Sequence, residues 1–138
     1  MKSRAESLIR LKKFQVDEKR RQVTQIEMMI ADFERMAGEL DQQIEIEQQK
    51  TGISDVAHFA YSTFAKAAIA RRDNLLASAA DMRDQLEAAQ DALAEAVEDL
   101  KKVELLDQRE HVREAAEESK AEQNEYDEMG RLRHMRRS

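Results

Sequence analysis

The sequence predicts an all-α protein in which two long helices form an antiparallel coiled-coil hairpin with unequal arms. Its 138 residues contain no proline and only three glycines, whereas average usage would give about seven and about ten. Charged residues make up 38% of the chain and aromatic residues only 4%, which is typical of long solvated helices. A sheet protein, an α/β protein or a compact enzyme core needs more turn residues and more large apolar residues than this chain has.

Composition also indicates the cellular compartment and excludes some classes of ligand. The chain has no cysteine, so disulfides and thiolate metal sites are excluded. Its net charge of −6 argues against nucleic acid as the main ligand. The N-terminal charges are not followed by the apolar region of a signal peptide, and no apolar stretch approaches the roughly 18 residues of a membrane span. We therefore expect a cytoplasmic protein.

The first predicted helix covers about residues 3–50 and carries a heptad pattern. Apolar residues recur at every seventh position: Ile9, Val16, Val23, Ile30, Ala37 and Ile44. Ile26, Phe33 and Leu40 occupy the complementary positions. This pattern is the seam of a coiled coil.

Residues 51–55 predict the turn of the hairpin. Gly52 can adopt the left-handed conformation that ends a helix, and Ser54 or Asp55 can cap the helix that follows. We expect the second helix at about residues 56–129 and a basic tail at residues 130–138. The chain is predicted to form one helical-hairpin domain over residues 1–138.

The second helix has apolar or small residues at alternating spacings of four and three. The stripe comprises Tyr61, Ala65, Ala68, Arg72, Leu75, Ala79, Met82, Leu86, Ala89, Leu93, Ala96, Leu100 and Val103. It continues as Asp107, Glu110 and Glu114, which predicts that the last part of this helix has no partner within the chain. Residues 1–22 carry a net charge of +5 and residues 85–106 one of −4, which favours antiparallel pairing.

The sequence lacks the patterns of an active site. The three histidines, His58, His111 and His134, do not have the spacing of a helical metal site, and we expect them at surface or capping positions. Phosphate-binding glycine motifs and the nucleophile motif of esterases are absent from the sequence. We therefore predict a protein that is not an enzyme and has no metal and no cofactor.

Three segments carry a family resemblance: residues 8–22, residues 58–64 and the ending at residues 125–128. Together with the asymmetric hairpin, they resemble the FliJ family of bacterial flagellar export proteins, whose relatives in virulence secretion are the YscO-type proteins. The resemblance implies a non-catalytic stalk and adaptor of type III protein export, required for flagellum biogenesis and motility. Its implied partners are the hexameric export ATPase FliI, the export gate protein FlhA and export chaperones. The implied location is the flagellar basal body at the inner membrane, reached only through these partners.

Two groups of residues are candidates for these contacts. The candidates for the ATPase are charged residues near the helix ends: Arg10, Lys13, Arg20, Arg21, Glu110, Arg113 and Arg131. The candidates for the export gate are Phe59 and Phe64, because Tyr61 lies on the predicted seam while these two rings flank it. The alternatives are a solvated face for the charged residues and a plug beside Ile53 and Val56 for the rings. A coiled-coil scaffold and a hairpin chaperone also remain open as functions.

Overall fold

The computed structural model describes residues 4–137 and confirms the all-α hairpin. Its two helices are α1, Arg4–Thr51, and α2, Thr63–Arg137. Hydrogen bonds between the helices join residue 41 to residue 72 and residue 34 to residue 83. Because the numbers rise on α1 as they fall on α2, the helices are antiparallel. Within residues 4–137, neither helix is long and apolar enough to cross a membrane.

The contacts of the chain divide into two compact units. We call Gln15–Ala96 the hairpin unit, and Met1–Phe14 together with Val97–Ser138 the terminal unit. The sequence-based prediction of one domain over residues 1–138 does not anticipate this division.

The hairpin unit has a narrow core built from the predicted seams. From α1, the buried side chains are Val16, Val23, Ile30, Ala37 and Ile44. Tyr61 and the α2 residues Ala65, Ala68 and Ala79 complete the core. The core thus combines mainly β-branched residues from α1 with small alanines from α2, and small side chains at a contact allow helix axes to approach closely. The heptad analysis therefore identified the buried face of both helices.

Both predicted ends of the second helix differ from the structure. The helix begins at Thr63, not at about residue 56, and it continues to Arg137, beyond the predicted end at about residue 129. At the start, neither Ser54 nor Asp55 caps α2; the Oγ atom of Ser62 does, by accepting a hydrogen bond from the Ala65 N–H at 3.2 Å. At the other end, Gly130 is helical, and a single glycine in a helix costs only about 1 kcal/mol.

The terminal unit contains no fully buried side chain among its described residues. Its half-buried residues are Ala5, Ile9 and Lys12 on α1, and Val97, Asp99, Leu100, Val103 and Asp107 on α2. Every residue from 108 to 137 is exposed. This exposed part of α2, residues 108–137, begins where the predicted stripe changes from apolar to charged residues.

Candidate partner-binding surfaces

The loop between the helices, residues 52–62, forms the tip of the hairpin unit. Gly52 has a φ of 74°, the left-handed conformation that glycine adopts without a steric penalty. Its N–H donates to the Gln48 carbonyl at 2.9 Å, which closes the last turn of α1. The prediction that Gly52 ends the first helix is confirmed.

The tip is fixed to the helices by two side-chain hydrogen bonds. The Gln48 Nε2 atom donates to the Tyr61 hydroxyl at 2.8 Å, and Ser62 Oγ donates to Glu47 Oε1 at 3.0 Å. Tyr61 is only 5% exposed, so its ring belongs to the core, as the seam predicts. The loop is therefore anchored where it enters α2.

Inside the loop, side chains replace the missing helical hydrogen bonds. The Asp55 carboxylate accepts from the Ala57 N–H at 3.0 Å, and the His58 Nδ1 atom accepts from the Ala60 N–H at 3.0 Å. The His58 carbonyl accepts from the Tyr61 N–H at 3.1 Å. These local bonds stabilise non-helical turns, which is why α2 begins later than the stripe predicts.

The two phenylalanines proposed as gate contacts lie in different settings. Phe59 is in the loop and is 96% exposed, whereas Phe64 is in the first turn of α2 and is 57% exposed. The Phe59 ring stacks on His58 with a centroid distance of 4.7 Å and an interplanar angle of 22°. Such exposure contradicts the alternative in which both rings fill the end of the hairpin.

Phe64 lies at one end of a shallow groove between the helices. The groove is lined by Leu40, Gln43, Phe64, Ala67, Ala68 and Arg71. Leu40, Gln43 and Arg71 also line an adjacent groove with Met36, Glu39 and Leu75. The Glu39 carboxylate is paired with Arg35. Arg71 has no hydrogen bond or ion pair with any described residue, so an unpaired cation lies beside apolar side chains. Arg71 was not predicted from the sequence, because it lies off the stripe that includes Arg72 and the sequence does not show which arginines lack an ion pair.

The charged candidates divide into paired and unpaired residues. Arg20 lies 3.9 Å from Asp17, Arg21 pairs with Glu18, and Arg113 pairs with Glu110 at 2.6 Å. The hydrogen bond that Arg113 donates to the Glu110 carboxylate raises the pKa of Arg113 above its ordinary value. Each of these ion pairs joins residues three positions apart within one helix. Such a pair stabilises a helix by only a few tenths of a kcal/mol.

Arg10, Lys13 and Arg131 have no ion pair with the described part of the chain. Arg10 and Lys13 line one open groove in the terminal unit together with Glu6 and Ile9. Arg131 lies on the exposed part of α2. These three cations are available to a partner without loss of an internal contact.

A second groove of the terminal unit lies where Ile9 of α1 approaches α2. It is lined by Ile9, Glu104, Asp107, Gln108, His111, Val112 and Ala115. The His111 imidazole lies 3.4 Å from an Asp107 oxygen and 3.9 Å from a Glu114 oxygen. Across residues 4–137, no three His, Asp or Glu side chains form a cluster able to hold a metal ion.

Exposed apolar residues accompany the basic residues of α1. Leu8, Leu11 and Phe14 are 41%, 49% and 58% exposed. Leu8 and Leu11 lie off the heptad seam, and the sequence pattern alone gave them no surface role. Their position beside Arg10 and Lys13 makes this end of α1 both apolar and basic.

The comparison with protein families gives one result. A family model described as flagellar FliJ protein matches residues 1–138, which is the whole chain. No curated protein and no solved structure matches the chain significantly.

Proposed function

The chain belongs to the FliJ family and is a component of flagellar protein export; on this premise, we propose that it is a non-catalytic stalk and adaptor. It links the export ATPase ring to the export gate at the cytoplasmic side of the flagellar basal body, and it escorts export chaperones. The observation that carries the proposal is the family match over the entire chain. Two chemically different exposed surfaces, one charged and one aromatic, are consistent with two partners.

The terminal unit supplies the proposed ATPase contact. Residues 108–137 are exposed without interruption, so a ring can enclose them without disturbing a core. Arg10, Lys13 and Arg131 have no ion pair to give up. Arg20 and Arg21 of the hairpin unit, and Glu110 and Arg113 of the terminal unit, also remain candidates, but each must exchange an existing helical ion pair for a new one.

ATPase stimulation by truncated chains tests this contact. A chain ending at Arg109 is expected to lose stimulation of the purified FliI-like ATPase while its hairpin unit remains folded. A chain ending at Ala115 keeps all the residues that line the Ile9 groove, so it separates loss of the groove from loss of the exposed helix. Full stimulation by both chains would remove the exposed part of α2 from the mechanism.

Charge-neutralising variants test the distinction between free and paired cations. The double variant R10Q/K13Q is expected to weaken ATPase binding more than R20Q/R21Q, because Arg20 and Arg21 are engaged with Asp17 and Glu18. The affinity should also fall with rising salt, since exposed charges are screened. If both double variants lose the same ATPase affinity, ion pairs within the chain do not determine which cations contact the ATPase.

The hairpin unit supplies the proposed contact with the export gate, a FlhA-like protein. Phe59 and Phe64 are exposed aromatic side chains near Tyr61, whose ring is buried in the core. Exposed aromatic rings are common anchors of protein interfaces. The unpaired Arg71 beside Phe64 adds a site for an acidic group of the partner.

Alanine variants of the two rings test the gate contact. F59A and F64A, singly and together, are expected to reduce binding to the gate's cytoplasmic domain and to impair motility, while helix content stays unchanged. Phe14, 58% exposed in the terminal unit, provides a matched control, and F14A should leave gate binding intact. If the melting temperature falls in the tip variants and binding returns on cooling, the rings are structural.

A further inference from the structure

His58 contacts other residues of the tip loop through both its backbone and its side chain. Its backbone N–H donates to the Asp55 carbonyl at 3.0 Å, and its carbonyl accepts from the Tyr61 N–H at 3.1 Å. Its ring stacks on Phe59, and its Nδ1 atom accepts from the Ala60 N–H at 3.0 Å. The residues before and after Phe59 are thus held by one imidazole, which also supports the Phe59 ring.

The hydrogen bond from Ala60 defines the protonation state of this imidazole. A nitrogen accepts a hydrogen bond only through its lone pair, so Nδ1 carries no proton and the ring is neutral with its proton on Nε2. A second proton would occupy the Nδ1 lone pair. The Ala60 N–H would then lose its acceptor and face a positively charged donor.

We propose that His58 is a pH-dependent positioning residue for Phe59. The neutral imidazole holds the loop and the Phe59 ring in the arrangement that a partner binds. A proton on Nδ1 breaks the bond to Ala60 and releases the ring from its fixed position. This inference rests on the proposed function, in which Phe59 contacts the export gate. A fixed aromatic side chain binds more tightly than a mobile one, because less conformational entropy is lost on association.

The other titratable side chains near the loop have separate roles. Asp55, on the loop itself, accepts from the Ala57 N–H, and Glu47, at the end of α1, accepts from Ser62. The Tyr61 hydroxyl accepts from Gln48. Lys50 in the last turn of α1 and Lys66 in the first turn of α2 are exposed. A D55N variant therefore serves as the control for a pH effect that arises from Asp55.

The first test uses NMR on the free full-length chain. On lowering the pH from about 7.5 to about 5.5, the range in which imidazole gains its charge, the Ala60 amide proton should move upfield as its hydrogen bond is lost. The midpoint of this Ala60 shift should equal the midpoint measured for the His58 ring protons. The same midpoint is expected in the D55N variant. An Ala60 amide that does not follow the His58 titration would overturn the proposal.

Two variants separate the acceptor from the ring. Asparagine at position 58 keeps an acceptor oxygen near the Nδ1 position and does not titrate, so in H58N the Ala60 amide should be constant with pH. Phenylalanine keeps a ring for stacking but has no acceptor, so in H58F the Ala60 amide should show the low-pH shift throughout. An identical pH response of Ala60 in H58N and in the parent chain would contradict this assignment.

Binding to the purified cytoplasmic domain of the gate protein completes the test. Between about pH 7.5 and 5.5, the affinity of the parent chain should fall about 3- to 10-fold more than that of H58N, the effect of one hydrogen bond. Equal pH dependence in both chains would contradict a role in binding. If no chain binds the gate while Ala60 still follows His58, the proposed gate contact fails and the loop mechanism stands.

Discussion

The two units of the chain use the same type of helix in opposite ways. All nine buried core residues belong to the hairpin unit, whereas the described part of the terminal unit has none. In proteins, most helical stability comes from tertiary packing of an apolar face. The free energy of folding is therefore concentrated in the hairpin unit, and residues 108–137 depend on helix propensity and on ion pairs between neighbouring turns. Stability and the proposed ATPase contact can thus be altered separately.

The two units also present different kinds of exposed side chains. The hairpin unit presents Phe59 from a loop fixed by hydrogen bonds, while the terminal unit presents charges along a single helix. A rigid aromatic anchor favours a specific pocket. Exposed charges favour fast, salt-sensitive association. One two-helix fold can thus present two kinds of surface when only part of its length is packed.

The largest expected effect on stability comes from shortening a side chain in the core. Ile30 is 5% exposed, and I30A should lower the free energy of unfolding by about 2–5 kcal/mol, with I30V costing about 0.5–1.5 kcal/mol. In the terminal unit Val112 is 64% exposed, and V112A should change stability by less than about 0.5 kcal/mol. Urea unfolding followed by circular dichroism measures all three. Comparable losses in I30A and V112A would abolish the distinction between the units.

A smaller effect is expected at the helix cap. The S62A variant removes both the cap on the Ala65 N–H and the bond to Glu47, so it should cost about 0.5–2 kcal/mol. Ser119 lies in the exposed part of α2, and S119A should leave stability unchanged or slightly higher, since alanine is the better helix former. Thermal unfolding of the two variants would show the difference, and a stable S62A would refute the cap.

A still smaller effect should come from an ion pair that joins the helices. Arg72 contacts Asp41 at 2.8 Å, and a double-mutant cycle of R72Q and D41N should give about 0.2–1 kcal/mol. Hydrogen bonds to Asp41 and then to Asp73 raise the pKa of Arg72. The contribution from the charged Arg72 is thus fully present below the ordinary pKa of arginine and is lost as the pH rises through that raised pKa.

The control for this ion pair is R113Q, which removes a pair within one helix. It should leave the unfolding transition unchanged. A coupling energy of zero between Arg72 and Asp41 would show that the core alone sets the alignment of the helices.

The smallest expected effect is that of removing the exposed helix. All described residues beyond Ala115, 116–137, are exposed, so ending the chain at Ala115 should change the free energy of unfolding by less than about 0.5 kcal/mol. The helical ellipticity should fall only in proportion to the number of helical residues deleted. A large drop in the urea midpoint would mean that residues 116–137 are packed in solution, and it would contradict the comparison between the units.

Sequence analysis predicted the hairpin because its determinants are periodic. The seam from Val16 to Ile44 and the stripe from Tyr61 to Val103 are apolar patterns, and every predicted position in them is buried or half-buried. The start of α2 was predicted wrongly, because the stripe does not reveal that Ser62 is the cap or that His58 is a hydrogen-bond acceptor in the loop. The exposure of Phe59 and Phe64 could be anticipated from their positions beside the stripe, whereas their assignment to a partner remains a proposal.

The hydrogen bonds that join the two arms of the hairpin also imply an order of folding. Their separations along the chain increase from 13 and 15 residues at the tip to 31 and 49 residues further along the hairpin unit. Each contact formed shortens the loop that the next must close, so entropy favours zippering that starts at the tip. We expect Q48A to slow refolding and R83Q chiefly to accelerate unfolding in stopped-flow experiments. The turn, which contributes little to the core, would then determine how fast the core forms.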